Sequence, residues 1–257
     1  MKLFFRKQGS GKPIIILHGL FGNCDNWMTH SRKLAEQYTV YAVDLRNHGQ
    51  SPHSDIFTYE AMAEDIAALL KDEGLDTAIF LGHSMGGKTL LQFVQLYPEM
   101  VERMVIVDIG PKYYPSHHGD VIEAFHSVDV DHVTSRKEAE ERLSGNLDDA
   151  GLRQFLLKNL YWKKNEDGTE RLAWRMNLPV IEREIENVGK ELYPKNPIYV
   201  DTLFIRGQHS SYILDEDWTL IQKYFPNAQL ATIPNAGHWV QAENAQGFME
   251  ALLQWLN

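Results

Sequence analysis

The stretch Thr77-Ala-Ile-Phe-Leu-Gly-His-Ser-Met-Gly-Gly-Lys88 decides the fold. Thr77 to Leu81 is a short apolar run, the pattern of a strand buried on both faces. Gly82-His-Ser-Met-Gly86 follows without a spacer, and Lys88 to Leu96 then reads as a helix that stops at Tyr97-Pro98. A strand that turns abruptly into a helix pushes one side chain outward, provided its neighbours are small. Gly82 and Gly86 stand two residues before and two after Ser84, the G-x-S-x-G arrangement that presents a serine hydroxyl as a nucleophile. Gly87 leaves room for the helix to approach the strand. The same turn sets Ser84 at a helix N-terminus, where the Met85 amide and the helix dipole favour a developing negative charge.

Strands and helices alternate on either side of this turn. Pro13-Ile-Ile-Ile-Leu17 is a β-branched run that ends in His18-Gly-Leu-Phe-Gly22, and residues Trp27 to Gln37 carry a helical pattern. Val40 to Val43 reads as a second strand, closed by Asp44-Leu-Arg-Asn-His-Gly-Gln-Ser51, a polar turn with a structural role. Tyr59 to Leu70 is amphipathic, carries Glu60 and Glu64 early, and is ended by Gly74. Val101 to Val107 is a further strand, ending at Asp108. This order predicts an α/β protein: a mostly parallel central sheet with helices on both faces. From residue 112 to 195 the pattern changes to helical segments such as Asp120 to Val128, Arg136 to Ser144 and Gly151 to Leu160, with many aromatics. The expected organisation is a core of residues 1–111 and 196–257, with 112–195 inserted as a helical cap. Strands return at Asp201 to Ile205 and Ala228 to Ile233, and the last helix is expected over Ala242 to Leu256.

A serine at such a turn needs a base and an acid, which in this fold follow it in that chain region order: acid, then histidine. His238, in Pro234-Asn-Ala-Gly-His-Trp239 after the last strand, is the candidate base. The usual place for the acid is the loop after Thr202 to Ile205, but Arg206-Gly-Gln-His-Ser-Ser-Tyr212 holds no carboxylate before Asp215. Asp108 ends the strand beside the nucleophile strand, from which it can reach the second ring nitrogen of His238 and fix its tautomer. Asp108 is the candidate acid, with Ser210 supporting it and Asp215 as the alternative. The glycines of His18-Gly-Leu-Phe-Gly22 let backbone come close to the reacting centre, so Leu20 is the candidate second oxyanion donor beside Met85, with Phe21 next. His18 is expected to hydrogen-bond within its loop. His117-His118 lacks the partner cluster of a metal site and is read as a pair of solvated histidines.

The bulk composition agrees with a soluble enzyme. The 257 residues are 44% apolar and 23% charged, ordinary for a globular domain long enough to bury a core without staples. The formal net charge of −10 argues against nucleic acid and against anionic membranes as partners. One cysteine, Cys24, excludes an internal disulfide and fits a reducing compartment; no signal-peptide core or membrane span is readable, so a cytoplasmic location is expected.

Taken together, H-G-L-F-G at 18–22, D-L-R-N-H-G-Q-S at 44–51, G-H-S-M-G-G-K at 82–88, V-D-I-G-P at 107–111 and A-G-H-W-V at 236–240 resemble the YbfF-type esterases of the α/β-hydrolase superfamily. The likeness spans the chain but is weak within 112–195, apart from stray segments such as Gln154-Phe-Leu-Leu-Lys158. The resemblance implies the α/β-hydrolase fold, an acid at Asp108, a serine at Ser210 and hydrolysis of short-chain acyl esters without metal or organic cofactor. Acyl-CoA thioesters are accepted by some members, and Lys158, Lys163 and Lys164 offer a basic cluster for such a substrate. A cofactor-free haloperoxidase, a C–C hydrolase or a ligand receptor on the same fold are the other readings. His209 adds a titratable group close to Ser210.

Overall fold

The computed structural model describes all 257 residues. The chain order is β1 (Phe5–Gln8), β2 (Lys12–Leu17), α1 (Met28–Leu34), β3 (Tyr38–Val43), α2 (Tyr59–Asp72), β4 (Ala78–His83), α3 (Met85–Leu96) and β5 (Val101–Val107). Then come α4 (Gly119–Ser127), α5 (Arg136–Leu143), α6 (Ala150–Leu157), β6 (Leu160–Lys164), β7 (Glu170–Trp174), α7 (Leu178–Arg183) and α8 (Ile185–Val188). The chain closes with β8 (Thr202–Gly207), α9 (Asp215–Tyr224), β9 (Gln229–Ile233), α10 (Val240–Glu243) and α11 (Ala245–Leu256).

Seven strands form one sheet in the order β1-β3-β2-β4-β5-β8-β9. All neighbours run parallel except β1, which pairs antiparallel with β3. The continuous apolar runs are explained by the pleat: successive side chains leave opposite faces, so a run with no polar residue feeds two cores at once. Ile15, Leu17, Phe80 and Ile106 pack on one face with Met62, Ile66, Leu90 and Phe93 of α2 and α3. Ile14, Ile16, Ile79, Leu81, Val105 and Val107 pack on the other face with Trp27, Leu34, Phe248 and Leu252. The mostly parallel sheet with helices on both faces is therefore as the sequence predicts.

Several local elements differ from the sequence reading. Residues 112–195 are not wholly helical: Leu160 opens the antiparallel hairpin β6–β7 instead of closing a helix begun at Gly151. The expected last helix is two, broken at Asn244, whose side chain accepts from the Gly247 amide and caps the second piece. The first helix is shorter than predicted: it ends at Leu34, three residues early, and Cys24–Trp27 forms a 3₁₀ turn ahead of it. β1 and α9 have no counterpart in the sequence reading. The core residues Phe125, Leu143, Leu156, Leu172 and Ile181 join 112–195 to the same apolar cluster as α2 and α3. No helix is long and apolar enough to cross a membrane.

Candidate active site

Ser84 joins β4 to α3 with φ 51° and ψ −116°, outside the regions a non-glycine residue prefers. The strain is tolerated because the surroundings over-determine it. The Ser84 amide donates to Val107 O at 3.0 Å, and the Lys88 amide donates to Ser84 O at 2.9 Å. The flanking glycines are obligatory: a Cβ on Gly82 would stand 2.5 Å from Gly86 O, and one on Gly86 2.5 Å from Leu17 O. Ser84 is the N-cap of α3, yet its hydroxyl is not spent on capping the helix.

Asp108 follows β5 with φ 51° and is fully buried. Its Oδ1 accepts from the Gly207 amide at 3.1 Å, and its Oδ2 accepts from His238 Nδ1 at 2.8 Å and from the Ser210 hydroxyl. With Nδ1 carrying the proton given to Asp108, Nε2 of His238 keeps a free lone pair. The His238 side chain is 20% exposed. His83 donates its Nε2–H to the carbonyl of His238 at 2.9 Å, and the Tyr212 ring stacks on the His238 ring at 3.8 Å between centroids. The Glu243 carboxylate takes the amides on both sides of His238, Gly237 at 2.7 Å and Trp239 at 3.0 Å. Asp215 lies elsewhere: it is 92% exposed and paired with Arg206 Nη2 at 2.6 Å.

The turn at residues 18–22 abuts the elbow. A Cβ on Gly19 would stand 3.3 Å from the Ser84 Cβ, so this loop touches the serine directly. The Leu20 amide donates to no backbone or side-chain acceptor, whereas the Phe21 amide is taken by His48 Nε2 at 3.3 Å. His18 bonds within its loop, as predicted, through Nδ1 to Gly19 O at 2.8 Å, and its Nε2 accepts from the Leu45 amide. Asp44 shapes the neighbouring turn by accepting from the Cys24 and Gln50 amides.

Two cavities meet at Ser84. One, of about 330 Å³, is lined by Phe21, Leu152, Phe155, Trp239 and His238, with Asp120 its one carboxylate besides neutral and histidine groups. The other, of about 30 Å³, lies between Met85, Lys88, Ile109, Tyr114, Ile185 and Val188. Lys158, Lys163 and Lys164 line neither. His209 is exposed and stands outside both walls. His117 and His118, expected as solvated histidines, both reach these walls: His117 bonds the Tyr212 hydroxyl at 2.9 Å, and burial pushes the His118 ring down to about 4. No group of three or more His, Cys, Asp or Glu is arranged to hold a metal ion.

Three residues near the site escape the sequence reading. Lys88 is buried one turn into α3, and its Nζ donates to Lys112 O and Lys190 O at 2.6 Å each; burial lowers its pKa to about 7. The signal is visible afterwards: a lysine in the apolar start of a buried helix. Asn159 is fully buried and bonds Phe21 O and Asn23 across the molecule, which nothing local foretells. Glu243 is equally silent in the sequence.

Comparisons with known proteins give the family of the chain. The model of the alpha/beta hydrolase fold family matches residues 12–148. The chain is 39% identical to the mouse (Mus musculus) sn-1-specific diacylglycerol lipase ABHD11, covering 95% of this chain and 80% of that protein. It is 34% identical to the esterase YbfF of Escherichia coli K12, covering 98% and 96%. Among solved structures, a marine microorganism esterase superposes with a TM-score of 0.94 at 41% identity, covering 99% of both chains. The chain therefore belongs to the α/β-hydrolase family, among the carboxylic ester hydrolases that include the YbfF esterase.

Proposed function

We propose that this protein is a serine carboxylesterase that hydrolyses short-chain acyl esters through an acyl-enzyme on Ser84, beneath a cap formed by residues 112–195. The observation that carries the reading is the Asp108–His238 hydrogen bond at 2.8 Å, in which the ring nitrogen facing away from Asp108 is left free within the cavity that also holds Ser84.

In the proposed reaction, Ser84 Oγ attacks the ester carbonyl carbon while its proton passes to Nε2 of His238. Asp108 holds the imidazolium through Nδ1, with Ser210 and the Gly207 amide steadying the carboxylate. The amides of Leu20 and Met85 receive the oxyanion, aided by the N-terminal end of α3. The carbonyl re-forms, the C–O bond to the alcohol breaks, and His238 returns the proton to the departing oxygen. Water then attacks the acyl-enzyme with His238 as base, releasing the acid and restoring the serine hydroxyl.

The two cavities give the acyl and alcohol groups separate places. The smaller cavity, beside Met85 and Ile109, leaves little room and so favours a short acyl group, and the larger aromatic side suits the alcohol. The larger side offers no lysine or arginine to the phosphates of coenzyme A, which favours an oxygen ester over that thioester. Burial and the neighbouring Asp44 carboxylate raise the thiol pKa of Cys24 and keep it inert.

A chain-length series from p-nitrophenyl acetate to octanoate, with acetyl-CoA alongside, tests this on wild type and Ser84→Ala. The expected result is a preference for acetate and butyrate, and a loss of about 10⁴-fold or more in kcat for the variant. Equal rates for the two proteins would overturn the assignment of Ser84.

A further inference from the structure

Phe21 has φ 58°, a left-handed conformation that is unfavourable for a residue with a Cβ. It occupies the third position of the turn closed by the Gly22 amide on Gly19 O at 3.0 Å. Both of its backbone polar groups are held from outside the turn. Its N–H donates to His48 Nε2 at 3.3 Å, and its C=O accepts from Asn159 Nδ2 at 2.7 Å. His48 is in the tautomer that can accept: its Nδ1 donates to Arg46 O at 3.0 Å, and burial keeps the ring neutral by lowering its pKa to about 3. Asn159 has no exposed surface, and its Oδ1 accepts from Asn23 Nδ2 at 3.2 Å, so both ends of its amide are engaged with the 18–23 segment.

Asn159 belongs to the inserted segment, between α6 and β6. We propose that Asn159 is a positioning residue: it reaches from the insertion to lock Phe21 in its left-handed conformation, and so aims the Leu20 amide at the oxyanion. This rests on the reading of Ser84 as nucleophile and Leu20 as oxyanion donor. The physical argument is one of direction. The Leu20 N–H is carried by the Gly19–Leu20 peptide, the first of the turn that the Gly22 amide closes on Gly19 O, and that turn keeps its present shape only while Phe21 stays left-handed. Phe21 left to itself favours φ below zero, which would remodel the turn beside Ser84. His48 holds it from the core and Asn159 from the insertion, so a donor without an acceptor of its own is pre-organised at the serine. The insertion thereby takes part in transition-state stabilisation and not only in enclosing the pocket.

The test uses Asn159→Ser and Asn159→Leu in the full chain, with p-nitrophenyl acetate as substrate and an alkyl trifluoromethyl ketone, whose hemiketal oxyanion mimics the tetrahedral state. Removing the hold on Phe21 should lower kcat by about 10- to 100-fold while KM changes less than about threefold, a fraction of what losing an oxyanion donor costs. The inhibition constant of the ketone should rise by the same factor as kcat/KM falls. Two variants guard against one failing to fold, with circular dichroism confirming the native state. Unchanged kcat in a folded variant overturns the proposal, as does a fall in kcat with unchanged ketone affinity, or a rise in KM alone. Wild type insensitive to the ketone, or Ser84→Ala as strongly inhibited as wild type, would count against the nucleophile assignment instead.

Discussion

Asp108 Oδ2 receives the Nδ1–H of His238 at 2.8 Å across a separation of 130 residues. The contact exists because β5 lies next to β4 on one side and β8 on the other, so the end of β5 points under the loop that follows β9. Asp108→Asn preserves the shape, but with its oxygen kept on the Gly207 amide it turns its NH2 toward Nδ1 of the ring, favouring the tautomer with Nε2 protonated. The expected outcome is a loss of about 10³- to 10⁴-fold in kcat. Asp215→Asn, on an exposed pair with Arg206, should stay within about twofold. Steady-state kinetics on the two variants decides between the acids, and a crippled Asp215→Asn with an active Asp108→Asn would reverse the assignment.

What the sequence made legible, and what it hid, divides along the range of the forces involved. The strands Ile14–Leu17, Phe80–Leu81 and Val105–Val107 are buried on both faces, so their pattern is local and complete. The elbow is legible because its glycines are required by contacts within five residues and one adjacent strand. β1 was illegible because it is an edge strand with Arg6 and Lys7 exposed, and Lys163, Lys164, Glu170 and Arg171 mask the hairpin in the same way. Asp108 is legible because the later loop holds no carboxylate before Asp215, and the structure brings it to His238. Lys88 and Asn159 act on partners brought to them only by the tertiary fold, whereas Glu243 bonds amides four and six residues away in a loop contact that no periodic pattern marks.

Folding should weaken as the pH falls below neutrality. Burial lowers the pKa of His18 to about 4, and of His48 and His83 to about 3, from the ordinary 6.5. For His48 the neighbouring His18 adds to the effect, and for His83 the neighbouring His238 does. Between these values and 6.5 the unfolded chain binds protons that the folded protein refuses, so stability is complete above about pH 6.5 and is lost toward pH 4. Each ring contributes up to about 1.4 kcal/mol per pH unit in that window. Urea unfolding followed from pH 7 to 5 should give a falling midpoint, with a shallower slope for His83→Gln. A midpoint independent of pH would mean that these rings are not held neutral.

Lys88 ties the chain at Lys112 and at Lys190 to the helix that follows Ser84. Its Nζ lies 2.6 Å from the carbonyls of Lys112 and Lys190, and it also lies over the Tyr114 ring. Lys88→Met keeps most of the buried stem but leaves two carbonyls without their donor, at about 1–3 kcal/mol each. The expected outcome is a lower urea midpoint, together with new protease cleavage near residues 112 and 190, where the chain is no longer held. The pH dependence separates this clasp from simple loss of packing. Burial depresses the Lys88 pKa from 10.5 to about 7. Above pH 7 the unfolded chain still binds a proton that the folded lysine has released, so wild type gains stability as pH rises from 7 toward 10.5, and the methionine variant lacks that gain. A neutral amine retains two N–H groups, one for each carbonyl, so the clasp survives deprotonation. The difference between the two midpoints should therefore widen from pH 7 to 9. A constant difference would assign the effect to packing of the stem, and equal midpoints with the wild-type cleavage pattern would mean that the two carbonyls find other donors when Nζ is gone.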